Sequence, residues 1–269
     1  MGMSVNTNVG AMLALQNLNK TNSMLETTQL HITTGLKVNG PKDDAATYAI
    51  AQRMRGDIAG MGAVKTALSN GEATVNVAIT AGKAVADMLT EMKAKTVQAN
   101  QAGLDTASKD ALQNDFTSLR DQLTTIVQTA EFNGKNLITS AATSLTVLST
   151  VDGSSISVAA QKLDTTTLGI NASNISSGAS AALVAIDAAI NTVTSSLASM
   201  GSSSKRIDVQ SEFTVQLVDI LKEGVGNLVD ADLAEESAAL QSLQIKQQLG
   251  VQALSIANSG PQSILALFG

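Results

Sequence analysis

The sequence predicts a mainly α fold: long coiled-coil helices arranged as a hairpin or bundle, with a small β-hairpin element at the midpoint. Three observations predict it. Apolar and small residues recur in alternating steps of three and four along most of the chain, the spacing of a helix–helix seam. Only two prolines occur in 269 residues, so the helices meet few interior breakers. Between the helical stretches, one short segment switches to strict alternation around an Asp-Gly pair.

The first helix is read from Ala11, Leu15, Leu18, Asn22, Leu25, Gln29 and Ile32. Asn22 and Gln29 are polar seam positions, which lower stability and set register. Gly35 suits the end of this helix, Gly40-Pro41 turns the chain, and Asp43 and Asp44 favour the next helix start through its dipole. The segment therefore reads as a linker. Adjacent carboxylates on a helix diverge and no third ligand is near, so metal or acid–base chemistry is not expected there.

A second helix follows from Val64, Leu68, Gly71, Val75, Ala78, Gly82, Val85, Leu89, Met92, Thr96 and Ala99. Its small members allow close helix approach. Asn100 to Thr106, with Gly103, reads as a turn into a third helix marked by Leu112, Phe116, Leu119, Leu123, Ile126 and Ala130. From Thr139 to Ser204 charge becomes sparse and hydroxyls dominate. Within it Leu145, Val147, Ser149 and Val151 alternate, then Asp152-Gly153, then Ile156 and Val158. That predicts a hairpin with a two-residue turn, the Asp-Gly pair supplying positive φ. A long helix follows from Leu183 through Ile186, Val193, Met200, Ile207, Thr214 and Val225 to Leu228, roughly 70 Å of rod. A rod of that length needs other rods beside it. Leu233, Leu240, Gln247 and Leu254 recur at seven-residue intervals in the final helix, with Leu243 and Ala257 on the same side. The two end helices are expected to pair.

Composition narrows the function classes. Cys and Trp are absent, His31 is the one histidine, and aromatics are 2% of the chain. Zinc sites, haem ligation, thiol nucleophiles and His-based acid–base pairs have almost nothing to work with, so neither enzyme nor cofactor nor metal is expected. The net charge of −6 gives no general attraction to nucleic acid. Gln247 to Gly269 is uncharged but too often interrupted by polar residues for a membrane span, and the first twenty residues lack the pattern of a cleaved secretory signal. His31 reads as solvated or helix-capping. Asp230, Asp232, Glu235 and Glu236 read as a solvated face with helix-start charges. Asn171-Ala-Ser and Asn174-Ile-Ser fit the N-glycosylation pattern but read as chance in a Ser/Asn-rich stretch.

Several segments together resemble the bacterial flagellins, in particular the short alphaproteobacterial kind without large outer domains. They are Asn6-Thr7-Asn8, Leu15 to Lys20, Thr33 to Ala46, Phe132 to Leu137, Asp230 to Ser237, Gln247 to Asn258 and Ser263 to Phe268. The similarity covers roughly residues 4–138 and 183–268. Leu228-Val229 stands where flagellins often carry Arg-Ile, and Pro41 replaces a usually small residue.

The resemblance implies a non-enzymatic structural subunit, secreted and extracellular, that polymerises into the hollow helical filament used for swimming. The alternative is a hook–filament junction protein. It implies an inner-tube helical domain from residues 1–45 and 225–269, and a rod-like bundle from 46–224 with the hairpin near 144–160. Polymer contacts would fall on Leu15, Leu18, Leu25, Leu233, Leu240, Leu249 and Leu254, and the linker motif on Gly35, Asn39, Asp43 and Asp44. Partners would be further copies of itself, other flagellins, an export chaperone, and cap and hook-junction proteins, with no nucleic acid and no membrane. The hydroxyl-rich middle offers candidate O-glycosylation at Ser144, Thr146, Ser149, Thr165, Thr166, Thr167, Ser176 and Ser177. Many flagellins bind an innate immune receptor through Arg-Glu-Leu-Ala-Val-Gln; here Lys93-Ala94-Lys95-Thr96-Val97-Gln98 stands in its place. That implies weak or absent receptor binding, since Lys93 loses the planar guanidinium, Ala94 the carboxylate and Lys95 the apolar contact.

Overall fold

The computed structural model describes residues 7–265, with side chains to Ser259. Asn6 and the closing Ala266-Leu267-Phe268 lie outside the described residues. Five helices appear among them: α1 Val9–Thr34, α2 Ala45–Ala99, α3 Thr106–Thr129, α4 Ile175–Val229 and α5 Leu233–Leu265. Four short strands lie between α3 and α4: β1 Glu131–Phe132, β2 Lys135–Asn136, β3 Leu145–Leu148 and β4 Ser155–Val158. The chain forms two compact units, Met1–Gly56 with Ile220–Gly269, and Asp57–Asp219. The boundaries of these units fall inside α2 and α4.

Polar side chains mark most of the helix starts. Asn8 Oδ1 accepts from Ala11 N at 3.0 Å, Asp44 Oδ1 from Ala46 N and Thr47 N at 2.9 and 3.1 Å, and Asn174 Oδ1 from Ser176 N and Ser177 N. Asp232 Oδ1 caps α5 through Ala234 N at 2.8 Å. Each satisfies amides that have no partner within the helix. α1 ends as read: Gly35 takes φ 72° and its N–H reaches the His31 carbonyl at 2.8 Å. Gly103, at φ 90°, turns the chain between α2 and α3. α4 begins eight residues before the periodic series that marks it and bends at Gly178, φ −140° and ψ 41°.

The second unit holds the main core. Every member of the α2 series from Val64 to Ala99 is buried. α4 runs antiparallel beside it, since Lys93 pairs with Asp187 and an added Cβ at Gly82 would meet Leu197. α3 supplies Phe116, Leu123 and Val127 to the same cluster. Over one 18-residue window α4 has a mean hydropathy of 1.4, enough by length and composition to cross a membrane; 28% of that window is buried in this fold, with Ile186 and Val193 in the core.

β3 and β4 pair antiparallel with Leu145 opposite Val158 and Leu148 opposite Ser155. The turn is longer than expected. Gly153 N donates to Thr150 O, Ser149 N to Ser154 O at 2.8 Å, and only Gly153 of the Asp-Gly pair has positive φ. The two-residue turn lies elsewhere, at Asn133-Gly134 with φ 49° and 72°, joining β1 to β2. The β3–β4 hairpin leans on α2 through glycines. A Cβ at Gly60 would stand 2.9 Å from Val151, and one at Gly71 would stand 2.5 Å from Val147. Gly60, Gly71 and Gly82 recur every 11 residues, about three helical turns, so they share one face.

The middle segment is two-faced. Leu163, Leu168, Ile170 and Ile175 are buried among its hydroxyls, and Leu163 N donates to Ile138 O at 2.8 Å. These isolated aliphatics carry no periodic signature, so the charge-poor composition hid them.

Candidate assembly surface

In the first unit α1 and α5 lie antiparallel, as expected for the end helices. Asn8 Nδ2 donates to Ala257 O at 2.7 Å, Gln247 Nε2 donates to Asn22 Oδ1 at 2.8 Å, and His31 meets Glu236. The seam on α1 runs Ala11, Ala14, Leu18, Asn22, Leu25, Thr28 and Ile32. Leu15 and Gln29, read as seam positions, are exposed; Ala14 and Thr28 take their places. The two registers share Ala11, Leu18, Leu25 and Ile32, and periodicity alone does not separate them. On α5 the seam is Glu236, Leu240, Leu243, Gln247, Gly250, Leu254 and Ala257. A Cβ at Gly250 would meet Leu18 at 3.2 Å, so this glycine sets a close approach.

The Asn22–Gln247 pair makes one direct amide bond inside an apolar stripe. A shift of either helix by a turn would bury both amides unpaired, at about 1–3 kcal/mol each, so the pair fixes register.

His31 corrects the sequence reading. Its Nδ1 stands 2.7 Å from Glu236 Oε1, and the side chains are only 13% and 18% exposed. It is neither solvated nor a helix cap but joins α1 to α5. Glu236 accordingly leaves the solvated acidic run to which it was assigned. No sequence motif signals the pair, because its members lie at opposite ends of the chain.

The linker is closed by its own carboxylates. Asp43 Oδ2 accepts from both Asn39 N and Gly40 N at 3.0 Å. Asp44 caps α2 and takes the Thr47 hydroxyl at 2.6 Å. That hydroxyl, and then the Thr47 amide, hold its carboxyl below the ordinary value of 3.8. Backbone bonds clasp the linker to the α4–α5 junction: Lys37 N to Val229 O at 2.7 Å, Ala231 N to Gly35 O at 2.9 Å, and a bridge between Leu36 and Asp230. Among the described residues no group of three or more His, Cys, Asp or Glu could hold a metal ion.

Away from the seam both helices expose large apolar side chains. On α1 these are Val9, Met12, Leu13, Leu15, Met24 and Leu30; on α5 they are Leu233, Ile245, Leu249, Val251 and Ile256. Of the expected polymer-contact residues, Leu18, Leu25, Leu240 and Leu254 are half-buried in the α1–α5 seam, and Leu15, Leu233 and Leu249 face outward. Met24 and Thr28 border a groove of about 440 Å³ that Ala239, Leu243 and Lys246 complete. A unit with apolar residues on its outer faces as well as in its seam has buried only part of what its sequence offers.

In the second unit, Lys93 is bound to Asp187 and Lys95 to Asp115, each at 2.7 Å. Of the candidate glycosylation sites, Ser149 and Thr165 are buried, and the Ser176 hydroxyl donates to Asp110. Ser144, Thr146, Thr166, Thr167 and Ser177 are exposed.

Comparison with known proteins agrees with this arrangement. Residues 5–143 match the bacterial flagellin N-terminal helical region and 183–268 the bacterial flagellin C-terminal helical region. The chain is 48% identical over 268 residues to flagellin FljK of Caulobacter vibrioides, covering 98% of each, and 36% identical to a Brucella melitensis flagellin, covering 98% of this chain and 99% of that one. Among solved structures, a putative flagellar hook-associated protein from Vibrio parahaemolyticus shares the fold, with a TM-score of 0.58 at 14% identity, over 70% of this chain and all of that one.

Proposed function

The chain belongs to the bacterial flagellin family, structural subunits of the flagellar filament, and from that premise we propose that the α1–α5 unit is the part that joins subunit to subunit. The observation that carries this is the exposure of Leu15, Leu30, Leu233, Leu249 and Ile256 on helices whose seam is already filled. Leu18, Leu25, Leu240 and Leu254 hold the pair together, and the outward residues make the contacts with other copies. The unit formed by Asp57–Asp219 carries the hairpin and the hydroxyl-rich segment on the outer wall. The protein is secreted through a chaperone-assisted export path, adds at the growing tip beneath a cap, and follows hook-junction proteins in the assembly. Its work is mechanical and not catalytic.

Removal of Gln247–Gly269 tests the assignment. It takes away Leu249, Leu254, Ile256 and the Gln247 partner of Asn22. The truncated chain is expected to remain soluble with the second unit folded, yet to stay in the supernatant after seeding with filament fragments. Normal filaments from it would overturn the assignment.

A further inference from the structure

The chain contains no Cys and no Trp, so its readily oxidised side chains are the nine methionines. They are unequally placed. Met88, Met92 and Met200 lie in the core of the second unit, the last only 1% exposed. Met54 and Met61 are half-buried. Met12 and Met24, both on α1, are 63% and 50% exposed. Met12 follows Val9 by one helical turn and precedes Leu15 by another, among the exposed apolar residues. Met24 borders the groove shared with α5.

We propose that Met12 and Met24 are oxidation sites through which peroxide blocks addition of the free subunit to the filament. The proposal rests on the reading of the α1–α5 unit as the joining surface, with a second copy of this chain as the occupant that covers both residues. The thioether sulfur attacks one oxygen of hydrogen peroxide, an S–O bond forms and the O–O bond breaks. The other oxygen, with a proton transferred to it, leaves as water. Methionine is oxidised by two electrons to the sulfoxide and the peroxide is reduced. The product places a strongly polar S=O group on a surface that must be buried dry. The core methionines are shielded from the same chemistry, so the second unit keeps its packing.

The test treats monomer with hydrogen peroxide, removes the oxidant and follows seeded elongation by sedimentation, with peptide mass mapping of each methionine. Untreated monomer runs in parallel; its failure to elongate would overturn the joining-surface reading itself. Expected is sulfoxide first at Met12 and Met24, with Met88, Met92 and Met200 spared, and an elongation rate lower by about ten-fold or more. Assembled filaments should oxidise more slowly at both sites than monomer. The double variant Met12→Leu with Met24→Leu keeps the apolar surface without sulfur. It should elongate normally before treatment and retain its rate after it. Elongation of oxidised wild-type monomer at the untreated rate would overturn the proposal, and so would equal loss in the leucine variant.

Discussion

Gly71→Ala adds one methyl where α2 meets the hairpin. The added Cβ would stand 2.5 Å and 2.9 Å from the two methyls of Val147 and 3.3 Å from its Cβ. Carbon atoms are comfortable at about 3.5–4.0 Å. Rotating Val147 moves its methyls but not its Cβ, so β3 must lift off the helix. Overpacking of this kind costs about 1–3 kcal/mol, whereas alanine in a helix interior gains about 1 kcal/mol over glycine. The expected net result is a loss of about 0–2 kcal/mol. Gly62→Ala is the control: it lies in the same helix with nothing within 4 Å of the added Cβ, so only the helix gain of about 1 kcal/mol remains. The two alanine variants should therefore differ by about 1–3 kcal/mol, or roughly 2–12 °C in melting temperature for a unit of this size. Circular dichroism of the monomer during heating reads this directly. Adding Val147→Ala to Gly71→Ala should recover part of the loss, and a double-mutant cycle isolates the coupling. If Gly71→Ala raises the melting temperature as Gly62→Ala does, the close approach of hairpin and helix is wrong.

Further outcomes are expected. Gln247→Leu leaves the Asn22 amide without its partner and should cost about 1–2 kcal/mol in the α1–α5 pairing, while Asn22→Leu with Gln247→Leu should recover that loss and loosen the register; hydrogen exchange of the α5 amides distinguishes the two. Asp44 has a depressed folded pKa, so its contribution is complete above the ordinary value of 3.8 and fades as pH falls through the lower folded value; protection factors at Ala46 and Thr47, corrected for intrinsic exchange, should fall only in that acid window, and Asp44→Ala should abolish that change. Intact mass spectrometry of native filaments should exceed the bare chain, with sugars on Ser144, Thr146, Thr166, Thr167 or Ser177 and none on buried Ser149 or Thr165; a mass equal to the bare chain refutes glycosylation. Depolymerised protein should stimulate a flagellin-responsive immune receptor weakly. Lys93→Arg, Ala94→Glu and Lys95→Leu together should raise the response, with little loss of stability, since Lys93→Arg keeps the charge facing Asp187 and the Lys95–Asp115 pair lies at the surface; an unchanged response would reject the argument.

Much of the fold was legible where periodicity was long. The α2 series kept its phase from Val64 to Ala99 because one stripe faces one core, and sustained spacing leaves a single register. On α1 the two registers differed only at the second and sixth of seven positions. The choice between Leu15 and Ala14 then depended on α5, whose small Gly250 admits Leu18 closely. The larger residue faced outward, against simple hydrophobic ranking, as the proposed joining surface requires. The turn at Asn133-Gly134 was legible through the Phe132 to Leu137 segment, which resembles the family's turn after its second inner helix; the two-residue strands that flank it are too short to leave an alternation. Leu163 and Ile170 were not legible, since irregular segments bury residues without a period. The His31–Glu236 pair was invisible for a different reason: local sequence says nothing about which distant residue a side chain will meet.

That distance has a consequence for when the joining surface comes into being. Asn8 and Ala257 are 249 residues apart, Asn22 and Gln247 are 225 apart, and His31 and Glu236 are 205 apart. Bonds of such separation form late, because a long loop must close before any of them is gained. A chain still being synthesised or threaded end-first through a conduit holds α1 without α5, or α5 without α1. Neither half has its seam, so neither can present the outward residues in the right register. With α1 and α5 as the proposed joining surface, the molecule becomes adhesive toward its own kind only once both ends have arrived in the same place.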